Sequence, residues 1–179
     1  MSDTAVLVVD MLNQYDHEDA EILAASVADI VVPLAELLSR TRERDDVDLI
    51  YVNDNYGDFT ADFNDLLQAA LAGKRPELVK PIAPEDDCLR VPKVRHSAFY
   101  STALQYLLDR RGVRRLILTG QVTEQCILYT ALDAYVRHYE LVVPPDAVAY
   151  IDAALGDAAI KMMNKNMAAE LTLASDCLR

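Results

Sequence analysis

Positive charge is scarce in this chain: 17 Lys and Arg stand against 29 Asp and Glu, for a formal net charge of −12 at pH 7. Phosphate backbones and anionic bilayers are held by clustered cations, so the balance argues against nucleic acid and membrane as partners. The one basic cluster, Arg110, Arg111, Arg114 and Arg115, reads as solvating a helix end, with attraction of a small anionic substrate as the other reading. Cysteine is sparse as well. Cys88, Cys126 and Cys177 lie far apart and form neither a CxxC pair nor an even disulfide set. A reducing cytoplasm is the setting such usage suits. No uninterrupted apolar run approaches the ~20 residues that span a bilayer. The opening MSDTAVLVVD lacks the basic and long apolar regions of a signal peptide.

What is present is apolar and ordered. Hydrophobic residues make up 52% of the 179 positions and charged residues 26%, and nothing is low in complexity. The length is that of one domain, commonly ~100–200 residues, so a single domain over 1–179 is expected, without repeat or linker.

Strand and helix patterns alternate along it. AVLVV, ending at Asp10, has the continuous β-branched character of a parallel strand covered on both faces. From Glu18 to about Arg44, Leu23, Val27, Ile30, Leu34, Leu37 and Leu38 recur at helical spacing, with Pro33 expected to kink the helix or restart it. VDLIYV (47–52) reads as a strand running into Asn53 and Asp54. A short helix over 61–72 follows, then prolines, then a strand from Cys88 to Pro92 leading into Lys93. Thr102 to Arg111 is helical with Gly112 as its stop. RLILTG (115–120) is a buried strand, 123–137 a helix, 140–143 a strand, 152–168 a helix and LTLA a last strand. Such alternation implies parallel pairing through right-handed crossovers and a three-layer α/β/α sandwich.

Ligands of open α/β sheets bind at the carboxyl ends of the strands. Asp10, Lys93 and Cys126 all stand at such ends, so an acid, an amine and a thiol can converge. Taken singly, each has a plainer reading: a helix cap, a surface charge and a buried apolar side chain. Thr123 before Glu124 reads as an N-cap, which puts Cys126 in a first helical turn. Free backbone N–H groups and the helix dipole there favour a thiolate and an oxyanion, and Gly120 lets the chain bend sharply before the turn.

The segments VLVVDMLN (6–13), KVRHSAFYST (93–102), LILTGQVTEQCILYTALDAY (116–135) and VVPPDAVA (142–149) resemble the isochorismatase-like hydrolases, in the order and spacing of that family and over nearly the whole chain. The resemblance implies a doubly wound sheet of six parallel strands, Asp10 and Lys93 as catalytic residues, and Cys126 as nucleophile. It also implies a cis peptide at Gln121–Val122 and an oxyanion hole from the N–H groups of Val122 and Cys126. In that scheme Asp10 takes the thiol proton, Lys93 steadies the thiolate and the aspartate, and a thioester forms and is hydrolysed.

The chain also departs from its relatives. The isochorismatases proper generally lack the cysteine and cleave a vinyl ether with the aspartate as acid, so Cys126 argues for C–N hydrolysis. The nicotinamidases hold a metal with an aspartate and two histidines. Here the D-x-H element reads Asp54-Asn55-Tyr56, and His96 with one aspartate makes a poor site, so neither metal nor other cofactor is expected. His96 is expected to orient its loop or touch substrate. Tyr15, Asn53, Tyr56, Phe59, Phe99 and Gln121 are the other candidate substrate contacts, although most aromatics in such a chain are core. Cys88 and Cys177 read as buried thiols; Met162, Met163 and Met167 as core or subunit contact; His17 and His138 as surface residues at helix ends.

Three readings stay open: an amidohydrolase of small carboxamides or ureides, an ether hydrolase dependent on Asp10 alone, and a non-catalytic binding or redox-responsive protein. A small-molecule substrate and a homo-oligomer, dimer or tetramer, in which helix 123–137 makes contact, are the expected partners.

Overall fold

The computed structural model describes residues 3–86 and 88–178; positions 1, 2, 87 and 179 of the expected domain lie outside them. The chain builds one parallel sheet. Its strands are β1 (Thr4–Val9), β2 (Val47–Asp54), β3 (Leu89–Lys93), β4 (Arg115–Gln121), β5 (Glu140–Val143), β6 (Val148–Ala149) and β7 (Glu170–Leu171). The order across the sheet is β3-β2-β1-β4-β5-β7, with β6 paired to β4 off this path. The expected count of six strands is therefore short by one: β4 pairs with β5 through Arg115–Ile117 and with β6 through Gly120 and Gln121. The turn at Pro145–Ala147 breaks β5 and returns the chain to the end of β4.

Six helices flank the sheet: α1 (Ala20–Arg42), α2 (Phe63–Leu71), α3 (Pro76–Val79), α4 (Leu104–Arg111), α5 (Leu128–Val136) and α6 (Ala153–Met167). Side chains alternate across a strand, and β1 shows the result. Val6 and Val8 pack with Leu23, Val27, Leu34 and Leu37 of α1. Ala5, Leu7 and Val9 pack with Leu104, Leu108, Ala131 and Met163 on the other side. Cys177 joins the first of these cores.

Helix α1 runs through Pro33 as one helix, so the expected restart does not occur. Ile30, Leu34, Leu37 and Leu38 are buried on both sides of the proline, and emptying even one of these sites to Ala costs ~2–5 kcal/mol, which holds the helix against the ~3 kcal/mol a proline costs. This helix also has the length and apolarity of a membrane span, which the search for uninterrupted apolar runs passed over; ten of its residues are buried in the protein.

Local signals set most ends. Asp62 and Asp65 form a reciprocal capping box on α2, and Asp152 caps α6 by accepting from the Leu155 N–H at 3.0 Å. Gly112 closes α4 with φ +78°. Sheet order reverses between β1 and β4, which opens the crevice where this topology places ligands.

Candidate active site

Asp10 is the first residue beyond β1 and takes a left-handed φ of 54°, a conformation Asp adopts more readily than most. Its Oδ1 accepts the Asp54 N–H at 2.7 Å, and its backbone carbonyl accepts Gln121 Nε2 at 2.6 Å. Asp10 is thus held at its carboxylate from the end of β2 and at its backbone from the end of β4. Lys93 closes β3 opposite Asp54. Its buried ammonium lies 2.8 Å from Asp10 Oδ2, 3.2 Å from Asp54 Oδ2 and 3.9 Å from Cys126 Sγ. Acid, amine and thiol meet at one point.

A single π-helical turn, Thr123–Ile127, carries Cys126 and runs into α5. Here the expected cap is corrected. Thr123 donates its hydroxyl to the Ala149 carbonyl at 2.8 Å, across the sheet to β6, and Val122, with no side-chain cap bond, precedes the turn. The peptide Gln121–Val122 is cis. Gly120 (φ +109°) is required by contact as well as by angle, because a Cβ there would sit 2.1 Å from the Val9 carbonyl oxygen.

The electrostatics also differ from expectation. Burial pushes the Cys126 thiol well above its ordinary range, and the facing Asp10 carboxylate adds to this; Lys93 and the Val122 N–H only partly oppose it. The sequence pointed to a thiolate on a helix dipole; desolvation wins, because water is the larger stabiliser of the anion. Burial likewise raises Asp10, against the pull of Lys93 and hydrogen bonds from Cys126 and Asp54. Burial alone would lower Lys93, but Asp10, Cys126 and Asp54 together raise it. The resting arrangement sets a thiol held up by burial beside Asp10 and an ammonium paired with two carboxylates.

A cleft of about 310 Å³ opens onto Asp10, Asp54 and Cys126, walled by Asn13, His17, Leu23, Tyr56, Gln121, Val122 and Ile151. Gln121 and Tyr56 therefore face it as expected; the Tyr56 hydroxyl donates to the Leu12 carbonyl at 2.9 Å. Asn53 sits behind it, its amide clasping both the N–H and the carbonyl of Leu12. The remaining candidates lie elsewhere. Tyr15 is 1% exposed in the α1-side core. Phe99 is buried on the other side of the sheet under the Arg137 guanidinium, 4.9 Å from its ring. Phe59 is 79% exposed on the loop after β2. His96 lies on the surface, edge-on to Tyr129 at 5.7 Å. Loop positions after strand ends made these residues candidates; packing puts Tyr15 and Phe99 into the two cores and leaves Phe59 and His96 on the surface, outside the walls of the cleft.

Asp54 and His17 also border the cleft: the sequence offered Asp54 only as part of a metal element and gave His17 no part in the site. Pairing of β2 with β3 puts Asp54 beside Lys93, a consequence of register. His17, read as a surface residue, lies on the loop after β1 that walls the cleft, with Nε2 3.4 Å from Asn13 Nδ2. A metal does not fit. Asp54 is taken by Lys93, Tyr56 stands where a ligand is needed, and no group of three or more His, Cys, Asp or Glu among the described residues is arranged to hold one. A larger groove of about 640 Å³ between β3 and α4, bordered by Arg110 and Arg111, holds no nucleophile.

Comparison with known proteins agrees with this architecture. The Isochorismatase domain model matches residues 4–175. An uncharacterized isochorismatase family protein of Bacillus subtilis, YaaI, is 36% identical over 171 residues, covering 96% of this chain and 94% of that protein. The ureidoacrylate amidohydrolase RutB of Methylorubrum extorquens is 41% identical over 70 residues, which is 39% of this chain and 28% of that enzyme. The crystal structure of N-carbamoylsarcosine amidase from Thermoplasma acidophilum superposes over 100% of both chains with a TM-score of 0.76 at 25% identity. With the domain match spanning nearly its whole length, this chain belongs to the isochorismatase family and is a hydrolase.

Proposed function

We propose that the protein hydrolyses an amide or ureido C–N bond of a small molecule through a thioester on Cys126, with Asp10 as acid and base and Lys93 as electrostatic partner. The observation that carries this is the convergence of carboxylate and thiol on one ammonium: Lys93 Nζ lies 2.8 Å from the Asp10 carboxylate and 3.9 Å from the Cys126 sulfur. Two similar proteins, a ureidoacrylate amidohydrolase and an N-carbamoylsarcosine amidase, act on the same bond type.

As Sγ attacks the carbonyl carbon, its proton passes to Asp10, whose raised affinity suits it to receive one. Lys93 offsets the negative charge left at the sulfur side. The C–O electron pair moves onto oxygen, which faces the N–H groups of Val122 and Cys126. The carbonyl re-forms, the C–N bond breaks, and Asp10 gives its proton to the leaving nitrogen. Water then yields a proton to Asp10 and attacks the thioester; the C–S bond breaks and the thiol recovers its proton. No metal takes part in this sequence. We place the enzyme in the cytoplasm, as a homo-oligomer acting on a small molecule.

The test is a screen of small carboxamides and ureides for amine or ammonia release, with intact-mass detection of an acyl adduct. Turnover with an adduct on Cys126, both absent in Cys126→Ala, is the expected result. Full amide turnover by Cys126→Ala would remove the thioester, and cleavage of a vinyl ether that survives Cys126→Ala but is lost in Asp10→Asn would instead identify the ether hydrolase.

A further inference from the structure

Charge divides this molecule end to end, and the division bears on which substrates can enter. The cleft presents Asp10 and Asp54, and the one cation at its floor, Lys93, is already shared between them. No Lys or Arg is among the described residues that wall it. Beside its mouth, Lys74 is held by Asp16 at 2.6 Å, and Arg75 by Glu21 and Glu77. Many of the other arginines gather at the opposite end of the strands: Arg44 before β2, Arg111 and Arg114 before β4, and Arg115 at its first residue. Two carboxylates against one ammonium leave the cleft with a net negative charge, and burial weakens the screening that would hide it.

We propose that this site selects uncharged carboxamides or ureides and discriminates against those bearing a free carboxylate. The inference deepens the C–N hydrolase reading and rests on it for the word substrate. The selection itself is a property of the cleft and can be read without turnover. A substrate carboxylate in the cleft would approach Asp54, and no Lys or Arg among the described residues that wall it stands ready to receive it. A neutral amide meets no such penalty, and Asn13 and Gln121 offer it amide dipoles. The cleft of about 310 Å³ limits it to a small molecule.

Iodoacetamide and iodoacetate, alike in size and unlike in charge, are the probes. Each transfers a two-carbon group to a thiolate, forming S–C as C–I breaks and iodide leaves. Alkylation of Cys126 is followed by peptide mass spectrometry, with half-buried Cys88 as the reference in the same sample. The expected result is an iodoacetamide-to-iodoacetate rate ratio about tenfold or more greater at Cys126 than at Cys88. The excess should shrink at high ionic strength and in Asp54→Asn. Equal ratios at the two cysteines overturn the proposal. So does faster reaction with iodoacetate that is lost in His17→Ala or in Arg95→Ala, which removes the exposed arginine two residues beyond Lys93, since a cation then recruits the anion. Labelling of Cys88 with none at Cys126 by either reagent, in Asp10→Asn as well as in wild type, also overturns it, because a cleft that admits a small amide must admit iodoacetamide once the thiol is lowered. Failure of the hydrolase reading would appear separately, as charge selection at Cys126 without turnover of any amide or ureide.

Discussion

The two ends of the sheet use cations in opposite ways. At the amino ends Arg44 and Arg115 are partly exposed and reach to backbone carbonyls of the final segment, at Leu178 and Cys177. Arg115 also meets Glu170 at 3.2 Å. Their charges stay in contact with water, so little desolvation opposes them and little net energy comes from pairing. At the carboxyl ends a single lysine is fully enclosed, and its charge persists only because two carboxylates face it. Burying that group is expensive, and removal of one partner leaves the others exposed to the same cost. A chain that needed only stability could fill the place with apolar atoms. The difference teaches where to look for chemistry: at the pole where charge is held against solvation.

The sharpest break of this contrast is at the sulfur. Cys126→Ala is expected to lower kcat by about a thousandfold or more on any amide substrate, while melting within a few degrees of wild type. Retained kcat would remove the nucleophile. Next comes Lys93→Met, which leaves Asp10 and Asp54 facing each other without a cation. Chemical denaturation should show a loss of about 3–5 kcal/mol, and a change below 1 kcal/mol would mean that the carboxylates are solvated rather than held.

Asp10→Asn separates thiolate population from catalysis. Both influences of Asp10 on Cys126 raise the thiol, so its removal should move the thiol titration downward while turnover falls by about a hundredfold or more. The titration is read as the ultraviolet thiolate difference spectrum against the Cys126→Ala counterpart. An upward or unmoved midpoint contradicts the arrangement described.

The acid limb of kcat/KM sharpens the same point. Asp10 and Cys126 share one proton in the working state, and a second proton removes the base. Because Asp10 is raised above its usual 3.8, activity present at neutral pH should be lost as pH falls through a midpoint higher than that. A limb at or below 3.8 would show an unburied carboxylate. The smallest effect belongs to the other pole: Arg115→Ala should cost about 1 kcal/mol by denaturation and leave kcat/KM unchanged.

Much of this was legible in the order of residues. AVLVV, VDLIYV and RLILTG are strands because continuous β-branched runs suit a sheet covered on both faces. Asp62, Gly112 and Asp152 stop or start helices through bonds made within a few residues. Asp10, Lys93 and Cys126 stood out because each follows a strand, and parallel strands present their carboxyl ends together. What could not be read is whatever depends on neighbours distant in sequence. Tyr15 and Phe99 follow strand ends as Tyr56 does, yet the first two turn into opposite cores. Thr123 has the chemistry of a cap but finds the Ala149 carbonyl first.

Sequence by itself determined the alternation of strands and helices, the surplus of acid and the presence of one cysteine just past a strand, since these depend on composition and local periodicity. Only the tertiary structure decided that Asp54 is the second carboxylate on Lys93, that His17 walls the cleft, and that the thiol is raised rather than lowered. Register chooses which side chains face each other across a sheet, and packing chooses how much water reaches them. Both are settled by contacts between segments far apart in the chain, and solvation sets the charge state of the site.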